Sequence, residues 1–226
     1  MIRWLGVPLL LAATACTGST GSALPDGAQL LQRAAEATRQ VETVRFDLKV
    51  EGQIPGISIS SAQGQLTKAG DVKGTAVIIA AGQPAETEFV IVGDTLYLKG
   101  PTGGFQRLPS SVAASVYDPT KILDANLGLP ALVAGATRPA VQGKETVDGV
   151  EAYRVTVTFA KNNLGVLLPG VGATADLPGE VWITTAEPNR PVKAKVDVPP
   201  AAGKSGGTVT IRLSEFNNPV TVTPPS

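Results

Sequence analysis

The chain has 226 residues, 43% of them apolar and only 4% aromatic, and its 19 Lys and Arg are balanced by 19 Asp and Glu. Zero net charge excludes the basic field by which a protein holds nucleic acid, and the apolar content excludes wholesale disorder. The sequence has no histidine and one cysteine, which removes Ser-His-Asp and Cys-His catalysis, His-ligated metals, Cys-ligated zinc and any intramolecular disulfide. Nothing in the composition asks for a cofactor or a metal.

Arg3 begins a short positive region, and Trp4 to Ala13 is an apolar stretch too short to span a bilayer as a stable helix. The small residues Ala13, Thr14 and Ala15 lead directly to Cys16. This resembles the lipobox of bacterial lipoproteins, with Ala13 where leucine is usual. The alternative is an ordinary secretory signal cut after Ala15, which leaves Cys16 as a free thiol. The lipobox resemblance implies a signal peptide over 1–15 and acylation of Cys16, with two or more chains for stable anchoring. Residues 16–24 then form a flexible tether, rich in Gly, Ser and Thr. Residues 25–226 form a single domain, exported and held at the outer face of the cytoplasmic membrane.

Pro25 to Glu42 is predicted as a helix capped by Asp26, because Leu30, Leu31, Ala34, Ala35, Thr38 and Val41 recur at helical spacing. From Val44 to Glu51 apolar and charged residues alternate, the mark of a half-buried strand. Alternation resumes at 57–60, and strands are predicted at 64–68, 72–81, 86–92 and 96–99, with glycine-marked turns between them. This order describes an antiparallel meander.

Prolines 109, 119 and 130 divide the stretch that follows, through Ala136. Asp118-Pro119 is predicted to open a helix over 120–125, and Pro130 another through Ala134. Strands return at 140–147 and 150–159 around Asp148-Gly149. Residues 161–177 are glycine-rich and mostly apolar, either a mobile mouth or an ordinary loop. Strands at 180–184, 192–198 and 208–216 and a loose tail from Val220 complete the chain. Asp94, Glu145 and Asp148 fall in or beside turns, and Lys193 and Lys195 on a strand read as a solvated face. The predicted fold class is α+β: one antiparallel sheet with its helices on one face and water on the other.

Several stretches, in order, resemble the LppX/LprA/LprF/LprG group of actinobacterial lipoproteins. They are Gly52 to Ser58, Phe89 to Val92, Leu96-Tyr97, Tyr117-Asp118-Pro119 with Leu123-Asp124 and Gly128-Leu129, Val181-Trp182-Ile183, and Thr221 to Pro225. Residues 162–177 do not match residue by residue. The resemblance implies a curved half-barrel with helices on its concave face, enclosing a large apolar cavity that binds acylated lipids or glycolipids and carries them outward. Some members of the group work beside a membrane efflux transporter.

The few aromatics are consistent with a hollow, since Val, Ile, Leu and Ala fill a sheet's interior less completely. An empty void of roughly 1,000 Å³ would cost about 24 kcal/mol, so such a space either collapses under its cover or holds something apolar. The same aliphatic residues can instead pack a solid core. The expected lining is Phe46, Leu48, Val50, Ile57, Ile59, Val77, Ile79, Phe89, Val90, Ile91, Leu96, Leu98, Val155, Val157, Val181 and Ile183, under a cover of Tyr117, Ile122, Leu123, Leu132 and Val133. In Phe89 to Val92 every position is apolar, so alternation leaves the inward pair open. Two functions follow: a non-enzymatic, membrane-anchored lipid carrier, or a scaffold lipoprotein with a solid core that acts through a protein partner.

Overall fold

A computed structural model describes residues 23–225 except 81, 101, 115–120, 169, 170, 172 and 202. Cys16, Tyr117 and the Asp118-Pro119 cap lie outside the described residues. The first helix, α1 (Gly27–Arg39), starts where Asp26 predicts, its carboxylate accepting from the Gln29 amide at 2.8 Å. It ends earlier than the pattern suggested. Its inner stripe of Leu30, Leu31, Ala34, Ala35 and Thr38 is buried. The Thr38 hydroxyl donates to the Ala34 carbonyl at 2.6 Å, so the one polar member of the stripe is satisfied.

A meander follows: β1 (Thr43–Gln53), β2 (Ile59–Thr67), β3 (Val72–Ala80), β4 (Gln83–Val92), β5 (Thr95–Lys99) and β6 (Phe105–Pro109). The short helices α2 (Ser111–Ala114) and α3 (Leu129–Ala134) lead to β7 (Thr137–Val147) and β8 (Val150–Phe159). Helix α4 (Lys161–Leu167) precedes β9 (Leu177–Thr184), β10 (Pro191–Val198) and β11 (Gly206–Ser214). All eleven strands form one open antiparallel sheet in the order β6-β5-β4-β3-β2-β1-β11-β10-β9-β8-β7. The last strand returns beside the first, pairing Phe46 with Leu213, Leu48 with Ile211 and Val50 with Val209. Two meanders are thereby fused at their ends into a single surface.

A flat sheet of this many strands would be about 50 Å wide, more than the four helices described, each about 10 Å in diameter and three of them only four to seven residues long, can cover. Yet one hydrophobic cluster joins the helices to inward residues of strands from both ends of the sheet, including Leu96 and Val155. The sheet therefore curves around its helices, as the half-barrel reading expects. Gly179 shows one local device. A Cβ there would lie 2.3 Å from the Lys195 carbonyl and 2.4 Å from the Phe159 ring, so the missing side chain lets the fully buried Phe159 lie against the sheet.

Four sequence expectations are corrected. The predicted helix over 120–125 is a set of turns among its described residues, because the Asp124 carboxylate accepts from the Asn126 and Leu127 amides, each at 2.9 Å, and holds them in a local turn. The glycine-rich stretch contains α4, and its last residue, Leu177, begins β9. Strand β6 follows a Gly103-Gly104 turn and is too short to show a clear period. The tail is held rather than loose as far as Thr221: the Asn217 amide donates to the Thr43 carbonyl at 2.8 Å, and the Lys73 ammonium donates to the Thr221 carbonyl at 3.0 Å.

The outer face is charged. Arg154, Glu180, Lys195 and Asp197 form a ladder across β8, β9 and β10, and Arg212 reaches Asp47 and Asp148. Such exposed pairs contribute about 0–1 kcal/mol each; their main effect is to keep this face in water. The substitution Gly179→Ala is expected to lower stability by about 1–3 kcal/mol, read as a lower urea midpoint. An unchanged midpoint would contradict the packing of Phe159 on Gly179.

Candidate functional site

Among the described residues, the inner face holds a void lined by apolar side chains alone. Its floor is Leu48 of β1, Val209 and Ile211 of β11, and Ala194 and Val196 of β10. Two rungs of the sheet account for it: Leu48 pairs with Ile211, which pairs with Ala194, and Val50 pairs with Val209, which pairs with Val196. Ala194 is the smallest side chain of the floor. The roof is Ile122, Leu129, Leu132, Leu164, Leu167 and Leu168. The void measures about 50 Å³, room for roughly three to five water-sized groups. This void alone is smaller than the large cavity expected, and leucines of the roof close it from above.

Local chemistry sets the roof in place. The turns of 121–128 close when the Leu129 amide donates to the Ile122 carbonyl at 2.9 Å, which brings Ile122 and Leu129 together. Gly128 makes this possible, since a Cβ there would stand 2.1 Å from the Lys121 carbonyl. Pro130 starts α3, as predicted. On the far side Asp176 accepts from the Lys161 amide at 3.0 Å and so fixes the start of α4. The Asn163 amide donates to the Ala131 carbonyl at 3.1 Å, joining α4 to α3, and Gln32 of α1 donates to the Ala134 carbonyl at 3.4 Å.

Of the predicted lining, Leu48, Ile122 and Leu132 border the void. Phe46, Phe89, Ile91, Leu96, Leu123, Val133, Val155, Val157, Val181 and Ile183 are buried in the same cluster away from it, and Val50, Ile57, Ile59 and Leu98 pack against that cluster partly buried. The open question at 89–92 resolves with Phe89 and Ile91 inward, opposite Leu98 and Leu96.

Three expectations are overturned. In β3 the inward positions are Val72 and Ala76, which puts Val77 opposite Glu86 on the outer face and leaves Ile79 42% exposed. Val90 pairs with Tyr97 on that same outer face. All three belong to uniformly apolar runs, in which alternation carries no information about side. The sequence reading missed Leu129, Leu164, Leu167, Leu168, Ala194, Val196, Val209 and Ile211 as lining. Leu164, Leu167 and Leu168 do recur at i, i+3 and i+4, a helical signal that the neighbouring glycines obscured.

The charged candidates stand apart from this void. Lys195 pairs with Asp197 at 3.2 Å, and the Lys193 ammonium sits 3.9 Å from the centre of the Trp182 ring. Glu145 accepts from the Trp182 indole at 2.7 Å and from Arg154. Asp148 occupies its turn with positive φ. Each has a structural role on the outer face.

A curved open sheet, its inner face roofed by short helices over a wholly aliphatic void, is the architecture of a class of envelope lipoproteins. The chain belongs to the LppX_LprAFG lipoprotein family, whose sequence model matches residues 26–222. It is 33% identical to the lipoarabinomannan carrier protein LprG of Mycolicibacterium smegmatis over 96% of this chain and 91% of the relative. It is 26% identical to the protein of that name from Mycobacterium tuberculosis, over 95% of this chain and 91% of the other. Among solved structures, LprF of Mycobacterium bovis superposes with a TM-score of 0.77 at 27% identity, covering 91% of this chain and all of that one. LppX of Mycobacterium tuberculosis shares the fold with a TM-score of 0.66 at 22% identity, over 87% of this chain and 97% of that one.

Leu132 is 4% exposed and lines the void from above. Leu132→Ala is expected to cost about 2–5 kcal/mol, measured by chemical denaturation. A loss below about 1 kcal/mol would mean that the roof is not packed on the sheet as described.

Proposed function

We propose that the chain is an exported, lipid-anchored carrier that takes acylated lipid or glycolipid from the outer face of the cytoplasmic membrane and delivers it outward. The observation that carries this reading is the void itself: eleven lining residues, all aliphatic, between the floor of β1, β10 and β11 and a roof of separate short pieces. Polar cargo would leave its hydrogen bonds unmet there. An acyl chain loses nothing, and each buried methylene contributes about 0.8 kcal/mol. About ten methylenes would contribute ~8 kcal/mol before the costs of ordering. Loading requires the roof to lift, because the resting void holds only a few methylenes. The mycobacterial relatives' name, lipoarabinomannan carrier, supports a glycolipid as cargo.

Solvent exclusion and a moving cover are sufficient for this task, and no catalytic step is involved. Acylation of Cys16 and the tether over 16–24 would hold the domain within reach of the membrane, with an efflux transporter as the partner that supplies or receives cargo. The small resting volume also suits a second reading, a scaffold lipoprotein with a solid core that acts through a protein partner.

One extraction and one substitution separate the readings, and a second substitution tests the anchor. Mass spectrometry of an organic extract of the purified protein should show acylated lipid. Ala194→Leu, which adds bulk to the floor, should cost no more than about 1–3 kcal/mol of stability while cutting lipid loading severalfold. A lipid-free extract, together with no uptake from vesicles, would overturn the carrier reading in favour of the scaffold. Cys16→Ser should move the protein from the membrane to the soluble fraction; retention in the membrane fraction would contradict the anchor.

A further inference from the structure

We infer that the seam between α3 and α4 is the doorway of the void and that Asn163 is its latch; this deepens the carrier reading and rests on it. The two halves of the roof are held differently. Helix α3 packs on α1, and Gln32 donates to its last turn at Ala134. The side-chain tie between α4 and α3 is the bond from Asn163 Nδ2 to the Ala131 carbonyl. Each end of that bond is followed in sequence by a leucine lining the void, Leu132 and Leu164. The latch therefore sits at the lip of the void, and releasing it loosens α4 from α3 while α3 stays with α1.

Gly135 gives the second, independent sign. It caps α3 at φ −85° and ψ −2°, a conformation that alanine adopts without strain. Backbone freedom is thus no reason for glycine here. A Cβ at this position would stand 2.7 Å from Asn163 Nδ2. The empty space at Gly135 is the seat of the latch amide, and a methyl group there evicts it by rotation of one flexible side chain. Two chemically unlike substitutions, Asn163→Ala and Gly135→Ala, should then break the same bond.

The test has two arms on the full chain purified free of lipid. In the first, hydrogen exchange is followed at the Leu164 and Leu168 amides, whose bonds to Ala160 and Leu164 hold α4 together. A neutral hydrogen bond of ordinary strength predicts exchange faster by about 3- to 10-fold in either single variant. The double variant should be no faster than the singles, because both remove one interaction. In the second arm, uptake of a pyrene-labelled diacyl phospholipid from phosphatidylcholine vesicles should quicken by a similar factor. Unchanged exchange, or effects that add in the double variant, would overturn the latch. Faster exchange with unchanged uptake would overturn the doorway. Absence of uptake in the unsubstituted chain would count against the carrier reading, leaving the exchange arm to decide the latch alone.

Discussion

One face of an eleven-stranded sheet must be kept from water by a roof assembled from only a few short helical pieces, and most features of this protein follow from that demand. The floor side chains are fixed by strand register, so they cannot rearrange to close gaps. The roof side chains stand on a six-residue and a seven-residue helix, too short to be stable in isolation. They hold their shape because their leucines are buried on the sheet. The contact that shields the floor is therefore also the contact that shapes the roof, and a ligand able to replace it with its own methylenes competes for both.

A void of this size costs little to leave empty. At about 24 cal/mol per Å³, a void of about 50 Å³ costs about 1 kcal/mol, which a domain tolerates. A cavity sized for several acyl chains would cost a large part of a typical stability of about 5–15 kcal/mol. A carrier without cargo is expected to rest with its roof down, over a floor that keeps one small side chain, Ala194, where the first methylenes can enter. The charged outer face has the complementary role. Its ladder of Arg154, Glu180, Lys195 and Asp197 keeps that side of the sheet wet, so the two faces do not compete for the helices.

Much of the fold was legible because strand alternation is strict where charges interrupt it. In β1, Arg45, Asp47 and Lys49 alternate with Phe46, Leu48 and Val50, and the inward set was assigned correctly. Where the run is apolar on both sides, as at Val77, Ile79 and Val90, the sequence carries no sign of which face is which, and those three were placed wrongly. The predicted α1 start followed from Asp26, whose capping chemistry is local. Helix α4 was missed because its helical spacing of Leu164, Leu167 and Leu168 is interrupted by Gly165, which lowers its intrinsic propensity. Ala194, Val196, Val209 and Ile211 were readable as inward strand residues, but their gathering into one floor depends on β11 returning to β1, a long-range pairing that no local pattern announces.

The central claim is that acyl chains occupy the space between the β1–β11–β10 floor and the α3–α4 roof. Methyl-resolved NMR of the protein loaded with a protonated phospholipid, with isoleucine, leucine and valine methyls labelled, tests it most directly. The account predicts intermolecular contacts from lipid methylenes to Leu48, Ile122, Leu132, Leu164 and Ile211, and none to outward Val77 or Ile79. Contacts confined to the outer face, or inner methyl signals unmoved by saturating lipid, would contradict it.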